Sequence, residues 1–326
     1  VRKRIGLVAM AVVGLVVLLA ACGPSEASPF PEPVDISGWQ SYQIGEEFPT
    51  LEEAIIKAPP FSRLELGPST YVVGECMVVG RPIALVGNGA TVILGGGDCL
   101  LRYEDEDSTS PGIQSYVEGI NFLGQEEIGD LVVVADGAVE FRYCTFGHVR
   151  NPDLSASALK FENQSSGLVE NCEFSDSIFY GILAEGMTSV RIVASTFSKN
   201  AVGVEATDAA LVRVEHCELV ENIAGVNCYD KARMDVTDTY FIHSYFHGLE
   251  YEGQVRGEIS DNLIEDGYEG IVLYVEDTGI GISPSVIIKN NVIRGQSYGI
   301  FIYREFRVEL KDNEFYDVFE DVIHYR

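Results

Sequence analysis

The chain has 326 residues, 46% of them hydrophobic, and carries 50 Asp and Glu against 22 Lys and Arg, for a formal net charge of −28. That excess of negative charge disfavours nucleic acid and anionic membrane surfaces as partners, and polyanionic sugars as well unless divalent cations bridge them. The length suits a single large folded unit.

At the N-terminus, Arg2, Lys3 and Arg4 precede an apolar run from Ile5 to Leu19, which ends in Leu19-Ala20-Ala21-Cys22. This resembles the signal of bacterial lipoproteins. The resemblance implies that residues 1–22 are a signal peptide ending at Cys22, which becomes the lipidated first residue of an extracytoplasmic chain held to a bacterial membrane. The alternative, a transmembrane anchor, would need an apolar run of about 18 to 20 residues. Pro24, Pro29, Pro31 and Pro33 then mark residues 23–40 as a flexible tether.

Residues 41–326 form one domain. Phe48 to Lys57 predicts a short amphipathic helix, with Thr50 as N-cap and Glu53 completing a capping box. Leu51, Ala54, Ile55 and Ala58 form its apolar stripe, and Pro59-Pro60 ends it. Short apolar runs follow at 64–73, 77–79, 83–86 and 90–94, separated by Gly- and Pro-bearing turns that mark them as strands.

From about Val117 onward one phrase recurs roughly every 20 to 29 residues. It reads Val139-Glu-Phe-Arg-Tyr-Cys-Thr-Phe146, Leu168-Val-Glu-Asn-Cys-Glu-Phe174, Val190-Arg-Ile-Val-Ala-Ser-Thr-Phe197, and so on to Val308-Glu-Leu-Lys-Asp-Asn-Glu-Phe315. A fixed period of this length predicts stacked units, each unable to bury its apolar face alone. Phe146, Phe174, Phe197, Leu219, Phe241, Ile264, Ile293 and Phe315 share one inward position. Two residues earlier stand Cys144, Cys172, Ser195, Cys217, Thr239, Asn262, Asn291 and Asn313, a small polar ladder in the interior. Three of the cysteines therefore serve as core residues; Cys76 and Cys99 lie in the less regular N-terminal part, where a disulfide is open.

The helix followed by Leu66-Gly-Pro-Ser-Thr-Tyr71, and then the Asn-bearing coils with Tyr-Gly-Ile turns, resemble the right-handed parallel β-helix repeat proteins of the pectin-lyase-like superfamily. The resemblance implies an all-β, single-stranded right-handed parallel β-helix with a short N-terminal capping helix. It implies no one activity, because the superfamily holds lyases, hydrolases, esterases, adhesins and non-catalytic proteins.

After each Gly-apolar turn comes another strand. Its copies are taken as Leu159-Lys-Phe-Glu162, Ile182-Leu-Ala-Glu185, Val202-Gly-Val-Glu205, Val226-Asn-Cys-Tyr229, Leu249-Glu-Tyr-Glu252, Ile271-Val-Leu-Tyr274, Ile300-Phe-Ile-Tyr303 and Val322-Ile-His-Tyr325. Alternation turns the fourth position outward, giving a stripe of Glu162, Glu185, Glu205, Tyr229, Glu252, Tyr274, Tyr303 and Tyr325. Adjacent rungs lie about 4.8 Å apart, a spacing at which Glu162, Glu185 and Glu205 would suit general acid–base work on a glycosidic bond. The same three would also suit one calcium ion, although the fold itself requires no cofactor. Tyr229, Tyr274, Tyr303 and Tyr325 offer flat faces to sugar rings, with Glu250, Glu252 and Lys160 alongside. The superfamily's enzymes bind polysaccharide on this sheet, as the resemblance implies.

Specific enzyme signatures are missing. There is no paired-aspartate pattern with a Gly-His-Gly turn, Phe246-His247-Gly248 being a partial echo, and neither the esterase motif Asp-Phe-Ile-Phe-Gly nor the lyase motif Arg-x-Pro-x-x-Arg occurs. Lys160 and Arg304 are the basic residues beside the stripe. The expectation is an anchored protein that binds, and in an enzymatic form cleaves as a lyase or glycoside hydrolase, extracellular or cell-wall polysaccharide. Three alternatives stand beside it: a solvated acidic surface, a scaffold or adhesin with a protein partner and self-association through an uncapped C-terminal coil, and a copper-maturation-type β-helix. Copper would want clustered Met, Cys or His, and Met77, Met187 and Met234 are scattered.

Overall fold

The computed structural model describes residues 29–104, 114–125, 128–151, 155–275, 284–303 and 306–325. The described chain winds into a parallel β-helix of about eleven turns. One turn consists of Ser189–Val193, Thr196–Ser198 and Val202–Ala206. Each strand pairs in parallel with its counterpart one turn on, as Ile192 does with Val214 and Phe197 with Leu219. The result is a 21-stranded sheet folded over two faces, joined at the corner by the long strands Ile83–Gly95 and Gln114–Gly124, and an 11-stranded one; the three faces are called here the first, second and third sheet in the order the chain visits them within a turn. The third has eleven strands, from Met77–Val79 to Glu320–Tyr325.

The corner between the first and second sheets is made by one residue at positive φ, such as Asn171, His216, Asp238, Asp261, Asn290 and Asp312. Asn, Asp and His accept this left-handed conformation more readily than most residues. Just past this corner the side chain turns inward, and here the expected ladder forms. The N–H of Cys172 donates to Ser195 Oγ at 3.1 Å, that of Cys217 to Thr239 Oγ1 at 3.3 Å, and that of Thr239 to Asn262 Oδ1 at 2.9 Å. Asn262 and Asn291 continue it at 3.0 and 3.1 Å. Two residues on, Phe146, Phe174 and Phe197 stack with ring centres 4.7 and 4.8 Å apart.

The helix covers the open end of the first coils. It spans Leu51–Lys57, Thr50 Oγ1 accepts from the N–H of Glu53 at 3.1 Å, and Leu51, Ala54 and Ile55 are buried. Cys76 and Cys99 form a disulfide, and Cys144, Cys172, Cys217 and Cys228 are free and buried.

The stretch 29–39 departs from the expected tether. Val34, Ile36 and Trp39 pack on Ala84, Val86 and Tyr116 of the first sheet. The N–H of Val34 donates to Glu140 Oε2 at 2.5 Å, and the Ser189 hydroxyl donates to the Pro29 carbonyl at 2.6 Å. Phe30 is buried, with the Arg213 guanidinium 4.7 Å from its ring centre. These apolar side chains have a surface to bury against, and the intervening prolines hold the backbone extended. The segment is thus a strap running along the helix axis, back across the rungs of the first sheet. Residues 1–28, with the expected signal and Cys22, lie outside the described residues, as does Arg304.

Candidate functional site

The glycine column builds the candidate site. Gly181, Gly203, Gly225, Gly248, Gly270 and Gly299 sit at the corner leading into the third sheet. A Cβ on Gly225 would stand 2.3 Å from the Gly248 carbonyl oxygen and 2.6 Å from the Phe241 ring. No other residue fits while backbone and aromatic column stay this close. The residue before the glycine faces out, so Tyr180, His247, Glu269 and Tyr298 join the outer surface. The sequence reading missed them, although each is marked by the glycine that follows.

That glycine also sets the register. Val202 pairs with Tyr180, Val204 with Ile182 and Glu205 with Leu183. The copy Val202-Gly-Val-Glu205 was therefore aligned two residues out, because its two valines imitate the alternating inward pair. Thr207 follows Glu185 in the fourth column, ahead of Tyr229, Glu252, Tyr274, Tyr303 and Tyr325. Glu205 moves to the central column, which reads Lys160, Leu183, Glu205, Asn227, Glu250, Val272 and Phe301.

The structure therefore does not join Glu162, Glu185 and Glu205. Glu162 receives Arg102 Nη2 at 2.7 Å and Lys160 Nζ at 3.1 Å, and Lys160 also reaches Glu185 at 2.9 Å. Burial pushes Glu162 up, but the two cations outweigh it and hold the carboxyl below its ordinary value. Lys160, expected to meet substrate, instead neutralises its neighbours. Among the described residues, no three His, Cys, Asp or Glu side chains converge as a metal site.

A different set converges around Glu205. Its side chain is buried, with 9% exposed, and burial pushes its pKa up to about 7; the Glu250 charge adds to this, against hydrogen bonds from Asn227 and Tyr180. Asn227 Nδ2 donates to Glu205 Oε2 at 3.4 Å, and Asn227 Oδ1 lies 3.3 Å from His247 Nε2. The same His247 nitrogen is 3.1 Å from Glu250 Oε2, to which the Tyr229 hydroxyl donates at 2.8 Å. Burial pushes Glu250 up as well, yet His247 and Tyr229 together bring it below its ordinary value. Glu269, beside His247, is raised by burial. Two carboxyls with opposed tendencies thus stand two rungs apart, about 9.6 Å along the sheet. Environments that separate two carboxyls in this way create an acid and a base on one surface.

The central column and its flanks turn aromatic toward the C-terminal coils. Tyr274 and Tyr303 have ring centres 5.2 Å apart, Tyr303 and Tyr325 5.4 Å, and Phe301 stacks on Tyr303 at 4.5 Å. Tyr298 touches Phe301 at 5.9 Å and Tyr268 at 5.5 Å. Beside the carboxyl set, Thr207, Tyr229, Lys231, Glu252 and Gln254 line a recess of about 470 Å³. The expected Tyr229, Glu250, Glu252, Tyr274, Tyr303 and Tyr325 thus share one face, and Phe301 and Tyr298 are added to it.

Residues 130–283 match the family described as "Right handed beta helix region". Among solved structures, the chain is similar to the catalytic unit of a thermostable GH87 α-1,3-glucanase from Streptomyces thermodiastaticus strain HF3-3, at 12% identity and a TM-score of 0.61, with 92% of this chain and 70% of that one covered. It is also similar to the pectate lyase Pel9A, at 13% identity and a TM-score of 0.51, over 81% of this chain and 72% of that one. No curated protein matches it in sequence. At such identities the likeness shows the fold alone.

Proposed function

We propose that this right-handed parallel β-helix of the pectin-lyase-like superfamily is an extracytoplasmic protein, lipid-anchored through Cys22, that binds polysaccharide along the outer face of its third sheet and hydrolyses it there. The observation that carries the reading is the continuity of that face: the set Glu205, Asn227, His247 and Glu250 adjoins the aromatic bed of Tyr274, Phe301 and Tyr303. Apolar faces with polar edges hold sugar rings, and a face that continues across rungs suits a chain of them. Glu205 is the general acid, because burial keeps its proton on near neutrality. Glu250 is the base, held ionised by His247 and Tyr229. A separation of about 9.6 Å between their backbones lies near the wider carboxyl spacing that leaves room for a water, and so predicts inversion at the anomeric carbon. The calcium expectation has lost its three-glutamate site, so this reading uses no metal. The structural neighbours are named a glucanase and a pectate lyase, which is compatible with a glycan ligand.

The test is a panel of neutral and acidic polysaccharides, assayed for retention and for release of reducing ends. Tyr274→Ala with Tyr303→Ala should weaken retention about tenfold, taking roughly 0.5–1.5 kcal/mol for each aromatic contact. Glu205→Gln should retain glycan but release no reducing ends. If the double variant binds like the parent, the aromatic face is not the site. Full activity of Glu205→Gln would place the acid elsewhere, and retention without any release by the parent would leave a binding protein.

A further inference from the structure

The first sheet carries a second concavity, a groove of about 500 Å³ lined by Arg233, Asp235, Arg256, Glu258, Ser285 and Arg307. Arg233, Arg256, Ser285 and Arg307 are successive members of one outward column. Like charges directly opposite each other on neighbouring strands are destabilising, yet Arg233 and Arg256 are register partners. The two carboxylates of the groove do not relieve them equally. Asp235 takes Arg233 Nη2 at 3.1 Å, and Glu258 takes Lys289 Nζ at 2.9 Å. Among the described residues, the guanidinium groups of Arg256 and Arg307 form no hydrogen bond or ion pair. In a chain of net charge −28, these two exposed guanidinium groups share one groove and have no side-chain partner among the described residues.

Their spacing is that of a binding site. Arg256 and Arg307 flank Ser285 on the rungs either side, about 9.6 Å apart along the sheet, and both side chains are long enough to lean over the serine. Two planar forks and a hydroxyl then address one point. Each guanidinium grips an oxyanion through paired N–H donors. A carboxylate offers two oxygens, which one such fork already takes up. A tetrahedral group with three free oxygens uses both forks and the hydroxyl.

We propose that this groove binds a phosphate-type oxyanion, a phosphate or sulfate group carried on a ligand, between Arg256 and Arg307 over Ser285. The site lies on a different sheet from the glycan face and is independent of it. It also lies beyond the end of the strap in the same outward column, since Ser189, which holds Pro29, pairs with Leu211 and Leu211 with Arg233. The groove and the N-terminal exit of the described chain therefore share a face, and an anionic lipid headgroup is one source of the phosphate. A soluble phosphorylated ligand is the other.

The experiment is calorimetric titration of the full chain with inorganic phosphate, against chloride at matched ionic strength. Saturable binding is expected, weakened tenfold or more in Arg256→Gln/Arg307→Gln, because both charge-assisted forks to the oxyanion are lost. Arg256→Lys, which keeps the charge and loses the fork, should fall between. Both arginines are exposed and have no side-chain partner among the described residues, so circular dichroism of the variants should match the parent. No saturable binding by the parent, or equal binding by the double variant, overturns the proposal. Sedimentation with phosphatidylcholine vesicles, with and without phosphatidylglycerol, separates the sources. Excess retention on the anionic vesicles that the double variant loses assigns the site to a headgroup; phosphate binding without such an excess assigns it to a soluble ligand.

Discussion

Replacing Glu205 by Gln should stabilise the protein, and by an amount that depends on pH in a defined direction. Burial raises the Glu205 carboxyl from its ordinary 4.5 to about 7. Below the unfolded value the group is protonated in both states, and Gln, its neutral isostere, changes little. As pH rises from about 4.5 to 7, the unfolded chain gives up the proton while the folded chain keeps it, so the folded state loses relative stability. Above about 7 the loss is complete. At about 1.4 kcal/mol per pKa unit it amounts to roughly 3 kcal/mol. Glu162, Glu250 and Glu258, whose values are lowered, act in the opposite sense, but they are common to both proteins and largely cancel in the difference. Thermal melts of parent and variant at pH 4.5, 6 and 8 read the effect. For a chain of this size about 2 °C accompanies each kcal/mol, so the variant should melt about 6 °C higher at pH 8 and within about 1 °C of the parent at pH 4.5. A melting difference that is the same at all three pH values would refute the burial argument and, with it, the assignment of Glu205 as the acid.

Two core substitutions test the stacking itself. Asn291→Ala removes the acceptor of the Asn262 N–H at 3.0 Å and the donor to the Ile259 carbonyl at 2.9 Å; each buried group left unpaired costs about 1–3 kcal/mol, so urea denaturation should show a loss of roughly 2–6 kcal/mol. Gly225→Ala places a methyl 2.3 Å from the Gly248 carbonyl oxygen, and should destabilise by at least the roughly 1–3 kcal/mol of an overpacked core, read in the same denaturation series and as faster proteolysis.

The architecture was legible because a solenoid repeats its evidence. Phe146, Phe174 and Phe197 fall at one position for the same reason each time, and an error at one copy is corrected by the next. The ladder from Cys172 to Asn313 was legible for the same reason, since thiol, hydroxyl and amide are interchangeable as small acceptors for a buried N–H. The site was less so. It depends on which residue of the corner marks the register, and the sequence offers two candidates: the apolar pair and the glycine. At Val202-Gly-Val-Glu205 they disagree, and the clash that any Cβ at the corner would make with the next corner's carbonyl oxygen, at 2.6 Å for one on Gly203, decides for the glycine. That single two-residue slip placed Glu205 among the surface glutamates and hid its burial. His247 was hidden differently, since its role is set by Glu250 three residues on in the same strand and by Asn227 on the preceding turn, 20 residues before it. The strap was missed because proline and serine suggest a tether, whereas Phe30, Val34, Ile36 and Trp39 suggest a contact; which prevails depends on the apolar patch at Ala84, Val86 and Tyr116.

Alternation along a strand obliges a β-helix to present outward columns on every sheet, and what fills them distinguishes one such protein from another. On the third sheet the acids lie where cations or neighbouring hydroxyls already hold them: Glu162 and Glu185 with Lys160, Glu250 with His247 and Tyr229. A cation that served a polyuronate would find these partners taken, so the face favours a ligand of low charge, for which aromatic contact and hydroxyl hydrogen bonds suffice. On the first sheet the described part of the strap covers the early rungs as far as Ser189 and Arg213, and Arg233, Arg256 and Arg307 gather on the later rungs. On this sheet most of the basic side chains pair with carboxylates of the same sheet, as Arg191 does with Glu215, Arg233 with Asp235 and Lys289 with Glu258. Arg233 and Arg256 nevertheless face each other on neighbouring strands, an arrangement that costs repulsion and that solubility alone does not call for; a bound oxyanion, as proposed above, would relieve it.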